Sequence, residues 1–131
     1  MRDTAELVRC GFERISEDLY AAAGEVPRIH VEVVDAGSAA GARVMVAITP
    51  WTLVGVVLSA DERFPSSLVI GGRRYLVHTH ELDGIGPYRA VALSGTGAHF
   101  PSQVHARKVA RTVAPLLLAA VARARGHPLA A

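Results

Sequence analysis

Val8, Phe12, Ile15, Leu19 and Ala22 follow one another at intervals of four and three, so on a helix they form one apolar stripe. Asp3 is placed to cap that helix, Glu6 three residues later makes a box-like partner, and Gly24 is the stop. Beyond Pro27 the period falls to two: Ile29, Val31 and Val33 point one way, His30, Glu32 and Val34 the other, as in a half-buried strand. The glycine- and serine-bearing stretch Ala36 to Ala42 reads as a turn region. It leads to a second strand in which Val44, Val46 and Ile48 alternate with Met45, Ala47 and Thr49, and a hairpin is the simplest topology.

Pro50 has no N–H to give to a ladder, so Thr49-Pro50-Trp51 marks an interruption before the apolar run Leu53 to Leu58. That run lacks alternation, which predicts a strand covered on both faces, with Gly55 inside it. Ser59 to Ser67 is a polar surface loop. Leu68-Val69-Ile70 then meets Gly71-Gly72, the two-glycine pattern of tight hairpins, with the return strand over Arg73 to His80. Asp83-Gly84 and Gly86-Pro87 bound another turn, and Tyr88 to Leu93 alternates again.

A final helix is predicted from Gln103 to Arg125, capped by Ser102, with Val109, Val113, Leu116, Leu117, Ala120 and Ala124 on its apolar face and Pro115 kinking or dividing it. The expected class is therefore α+β: a mostly antiparallel sheet of about five or six strands packed with N-terminal and C-terminal helices. The 131 residues suffice for one domain, 1–131, with 126–131 as a frayed tail.

Fourteen basic and twelve acidic residues nearly cancel, which argues against a nucleic-acid surface. The charge is unevenly spread. Residues 1–35 carry four bases and eight acids, residues 99–131 five bases and no acid, so the two ends attract each other if they lie close. The bases of the last helix, Arg107, Lys108, Arg111, Arg123 and Arg125, read as its solvated face. The longest uncharged run, Val44 to Ala60, falls short of the roughly 20 residues of a bilayer span. One cysteine, Cys10, excludes an intrachain disulfide and fits a reducing compartment; with no export segment at the start, the expected location is cytoplasmic.

Candidate chemistry is thin. His78 and His80 emerge on one face of a predicted strand, near Glu81 and Asp83, and could begin a metal site if His99 or His105 supplied further ligands; a polar sheet face is the plainer reading. Ser94-Gly95-Thr96-Gly97 lies between a strand and a helix but lacks any phosphate-binding fingerprint, and reads as a flexible turn. Trp51, the only tryptophan, is either a core ring or an interface anchor presented by a proline-defined turn, a surface that Phe64 could extend.

The run Val46 to Leu58, with Thr49-Pro50-Trp51 at its centre, resembles the Thr-Pro-Trp strand motif of the HybE-type [NiFe] hydrogenase assembly chaperones. Val31-Glu32-Val33-Val34, Gly86-Pro87-Tyr88 and the alanine-rich helix from Ala106 occupy matching places, so the resemblance spans roughly residues 5 to 122. It departs at Ala92 to Phe100, where the family commonly has a Ser-Leu-Phe-Ser-Pro-Met-like run; Leu93 and Phe100 are kept, and the proline and methionine are not. The resemblance implies a noncatalytic cytoplasmic factor without a cofactor. Such a factor binds a [NiFe] hydrogenase large or small subunit precursor and coordinates assembly of the two, in some cases before twin-arginine export. It also makes Thr49, Pro50 and Trp51 recognition residues. Phe64 and the segment Ser94, Gly95, Thr96, Gly97, His99 and Phe100 are expected neighbouring contacts on sequence grounds alone. The competing reading is a small metal-dependent enzyme using His78 and His80, or an interaction domain unrelated to hydrogenase.

Overall fold

A computed structural model describes residues 3–24, 28–59, 63–94 and 100–125. The elements run α1 (Thr4–Ala23), β1 (Glu32–Ala39), β2 (Ala42–Ile48), β3 (Leu53–Leu58), β4 (Ser67–Ile70), β5 (Arg73–Leu82), β6 (Gly86–Ala92) and α2 (Gln103–Ala124). All strand pairs are antiparallel, in the order β1-β2-β3-β6-β5-β4. Two three-stranded meanders are thus joined where β3 meets β6, with Val54 opposite Ala92 and Val57 opposite Arg89. The α+β class, the sheet and both flanking helices are as the sequence predicts.

Period-two alternation sends side chains to two separate cores. Val44, Val46, Ile48, Leu53, Val57, Leu68, Ile70 and Val91 face α2, while Met45, Ala47, Val54, Val56, Tyr88 and Ala90 face α1. Apart from its last residue, half-buried Leu58, β3 is buried along its length, as its unbroken apolar run requires.

The stretch read as a turn over Ala36 to Ala42 is mostly strand. β1 continues through a bulge between Asp35 and Gly37 to Ala39, and only Ala40-Gly41 turns, both with positive φ. Glycine content suggested a loop because a bulge and a turn ask for the same residue. The Gly71-Gly72 hairpin forms as expected.

Both helices seat differently from their apolar stripes. α2 lies on the sheet along Ala106, Ala110, Ala114, Leu117 and Val121, whereas Leu116 is exposed. Small side chains let the helix axis come close to the sheet, so the seam follows alanines rather than the bulkier residues chosen by hydrophobicity. The helix is continuous through Pro115, which sits on its exposed side, and Ser102 Oγ caps it by accepting from His105 N. On α1, Val8, Gly11, Phe12 and Ser16 are buried, but Ile15 and Leu19 are exposed. Asp3 makes no side-chain cap, and Glu6 bonds Arg9 instead.

The opposite charges of the two ends do meet. Arg107 on α2 donates to both oxygens of Glu32 on β1, at 2.8 and 2.6 Å. Gln103 adds a clamp: its Oε1 accepts from His30 N at 2.8 Å, while its Nε2 donates to His30 O at 3.0 Å and to Glu32 Oε1 at 2.9 Å. A side-chain amide here does the work of a neighbouring strand, holding the start of α2 against the chain that leads into β1.

Hydrogen bonding from Arg107 holds the Glu32 carboxyl below its ordinary range. Its stabilisation is therefore complete at neutral pH and is lost as acid drives the pH down through the folded-state value. Both side chains are about one-third exposed, which limits the pair to under about 1 kcal/mol. Glu32→Gln is expected to lower stability to urea at pH 7 by that amount, with the gap from wild type closing as acid protonates the Glu32 carboxyl.

α1 touches β5 where Gly11 meets Leu82; a Cβ on Gly11 would lie 2.5 Å from Leu82 Cγ. Gly11→Ala should thus destabilise by about 1–3 kcal/mol despite the helix propensity gained. Denaturation of Gly11→Ala, Leu82→Ala and the double variant should show the double costing less than the sum of the singles.

A groove beside the Thr-Pro-Trp turn

Pro50 and Trp51 form the two-residue tip between β2 and β3. Thr49 N donates to Thr52 O at 3.0 Å, and the buried Thr49 hydroxyl both donates to Thr52 O at 2.6 Å and accepts from Thr52 N at 3.0 Å. The hydroxyl takes the N–H that a backbone carbonyl takes in an ordinary turn, and Pro50 leaves no N–H to satisfy. Ser94 ties the same corner to the end of β6: its Oγ accepts from Leu53 N at 2.9 Å, and its carbonyl accepts from Thr52 Oγ1 at 3.0 Å. Trp51 is therefore held by a short connection bonded on both sides.

The indole is half-buried. It packs against the α1-side core and lines an open groove of about 350 Å³ with Phe12, Ile15, Thr52, Val54, His78, His80, Glu81, Tyr88, Ala90 and Ala92. The groove runs beside α1, which lies over β1 and β2, meets β5 at Leu82 and touches β6 through Phe12 against Tyr88; Tyr88 and Ala90 are buried at its base, while Ala92 and the β5 side chains His78 and His80 are exposed along it. Its floor is low where Ala90 and Ala92 stand, and its walls are high at Trp51, Ile15 and the histidines. Tyr88 meets Phe12 edge-to-face at a centroid distance of 5.9 Å, and burial pushes its phenol pKa up, so it stays neutral. Ile15, which the periodicity had assigned to the apolar stripe, instead forms part of the groove wall.

The remaining expected residues do not all gather here. Phe64 lies on the other side of the sheet, against the α2-side core and within 5.5 and 6.0 Å of the guanidinium carbons of Arg89 and Arg125. It does not extend the Trp51 surface. Phe100 also packs toward α2, with its ring centroid 6.0 Å from that of His105. Alternation decides these placements, and it cannot be counted through loops. Gly95, Thr96, Gly97 and His99 lie outside the described residues.

His78 and His80 share the groove face as their spacing requires, with ring centroids 6.2 Å apart. His105 is on α2, on the far side of the sheet, so it brings no third ligand to them. No group of three or more histidine, cysteine or acidic side chains placed to hold a metal occurs among the described residues. Nor, among these, is any helix long and apolar enough to cross a membrane.

Residues 5–130 match the family described as "[NiFe]-hydrogenase assembly, chaperone, HybE". The chain belongs to the HybE family of [NiFe]-hydrogenase assembly chaperones. The solution structure of HybE from Escherichia coli has the same fold: the two agree at a TM-score of 0.65 and 23% identity, over 87% of this chain and 76% of that one. No curated protein matches the chain. As a HybE-family protein it is a chaperone of [NiFe]-hydrogenase assembly.

The hydroxyl that closes the turn gives a test. Thr49→Val keeps the shape and strands the Thr52 N–H, so stability to urea should fall by about 1–3 kcal/mol. An unchanged midpoint would mean that the hydroxyl does not hold the corner.

Proposed function

We propose that this HybE-family chaperone binds an immature [NiFe] hydrogenase subunit, large or small, through the groove beside Trp51. It shields that subunit until its partner can join, acting in the cytoplasm and, where the client carries a twin-arginine signal, before export. The observation that carries the reading is the half-buried indole on a two-residue tip, lining an open groove with Phe12, Ile15, Tyr88, buried Ala90 and exposed Ala92. A large rigid aromatic beside an unfilled apolar depression is what an interface anchor requires, because little conformational entropy is lost when it is covered. The surrounding side chains offer shape and apolar contact, so selection of the client, rather than bond-making, is the product.

Ser94 belongs to this surface as a brace for the turn. Thr49 and Pro50 act on recognition through Trp51, since the threonine is buried and the proline shapes the tip.

Co-production of tagged protein with precursor and with mature hydrogenase tests the reading. Capture of the precursor in preference to the mature subunit is expected, and Trp51→Ala should weaken capture by about tenfold or more while near-UV circular dichroism away from the indole signal is retained. Equal failure to bind either form would remove the client assignment. Unchanged affinity of a folded Trp51→Ala protein would remove the anchor.

A further inference from the structure

The sheet has two edges, and they are treated differently. β1 is broken by its bulge, carries Glu32 and Asp35, and is preceded by the backbone that Gln103 clamps. Each of these devices blunts an edge against a further strand. β4 has none of them: Ser67-Leu68-Val69-Ile70 contains no charge and no proline, and its register with β5 is unbroken.

Register shows which of its groups face outward. Ser66 O accepts from Val77 N at 2.9 Å, and the two-residue Gly71-Gly72 hairpin pairs Ile70 with Arg73. Hydrogen-bonded pairs alternate along an antiparallel ladder, so Ser66, Leu68 and Ile70 bond to β5, and Ser67 and Val69 turn their N–H and C=O away from it. In agreement, the Val69 carbonyl is reached from outside the ladder by Arg123 Nη2, at 3.5 Å.

We propose that this edge accepts an extended, acidic segment of the hydrogenase precursor as a seventh strand. The inference rests on the reading of the client given above and adds the mode of contact. Main-chain bonds at Ser67 and at the Val69 N–H, with the Val69 carbonyl shared with Arg123, would align the segment, which would lie about 4.8 Å beyond β4. Val69 and Leu76, 52% and 63% exposed, lie on the groove side of the sheet and extend its apolar face from His78 to the edge. Charge selects the occupant: the hairpin and the end of α2 bring Arg73, Arg74 and Arg123 to this edge, with no acidic side chain among the described residues of β4, the hairpin turn or α2. The same charges disfavour a second copy, which would set arginine against arginine.

The test is the affinity of purified protein for the co-produced precursor, with variants Val69→Pro, Val69→Thr and Arg73→Glu/Arg74→Glu. Val69→Pro removes an outward N–H and no bond to β5, at a position already in extended backbone, and should weaken binding about tenfold, whereas Val69→Thr, which keeps the N–H, should stay within about twofold. The double glutamate variant should bind more weakly and with less dependence on salt. In the wild-type complex, exchange of the Val69 amide hydrogen should slow, a readout that needs no variant to fold.

Wild-type affinity of Val69→Pro, equal weakening by Val69→Pro and Val69→Thr, or tighter binding by the glutamate variant would each overturn the strand addition. So would a dimer that Val69→Pro dissociates. Failure of the wild-type protein to capture any precursor would instead strike the client assignment itself.

Discussion

Every strand of this sheet has two faces that must be kept from water, and the chain has two helices of unequal reach with which to do it. α2 crosses one face from β1 to β4 on an alanine seam that lets it lie close. α1 is seated by Val8, Gly11, Phe12 and Ser16 over β1, β2 and the far end of β5, with Ile15 and Leu19 turned outward. Val54 and Ala90 are buried at the base of the groove beside α1, and Ala92, Ile15 and the half-buried Trp51 bring apolar surface to its opening. Apolar surface left open on an otherwise well-covered sheet is the physical basis for a role in binding.

The Thr-Pro-Trp turn stands beside this groove. Its bonding pattern spends a buried hydroxyl and a serine side chain on fixing two residues, which is more than a plain hairpin needs. The result is an aromatic side chain whose position is set by backbone pairing on both flanks. Such preorganisation lowers the entropy lost when a client covers it. The backbone and hydroxyl groups of Thr49 and Thr52, Leu53 N and Ser94 Oγ and O bond to one another at this corner.

Much of the architecture was legible because it is local. The helix periods, the Gly71-Gly72 hairpin, the doubly covered β3 and the Ser102 cap each follow from a few neighbouring residues. What was not legible depends on distance or on small side chains. Pairing of β3 with β6 joins Val54 to Ala92 across two intervening strands, and no local pattern announces it. Trp51 and Phe64 were grouped by sequence proximity, but with β3 and a loop between them they pack on opposite faces of the sheet. Gln103 gave no signal as the partner of His30, since a side chain imitating a strand has no spacing to read. Ile15 was read as core because hydrophobicity cannot say where a helix parts from its sheet.

The central claim is that the client docks in the groove between Trp51 and α1. Methyl and indole resonances of labelled protein, recorded with and without an equimolar hydrogenase precursor, address it directly. The account expects shifts at the Trp51 indole and at the methyls of Ile15, Val54, Ala90 and Ala92, with Leu117 and Val121 on the buried side of α2 unmoved. Shifts confined to the α2 side, around Phe64, Phe100 and Leu116, with the groove silent, would contradict it.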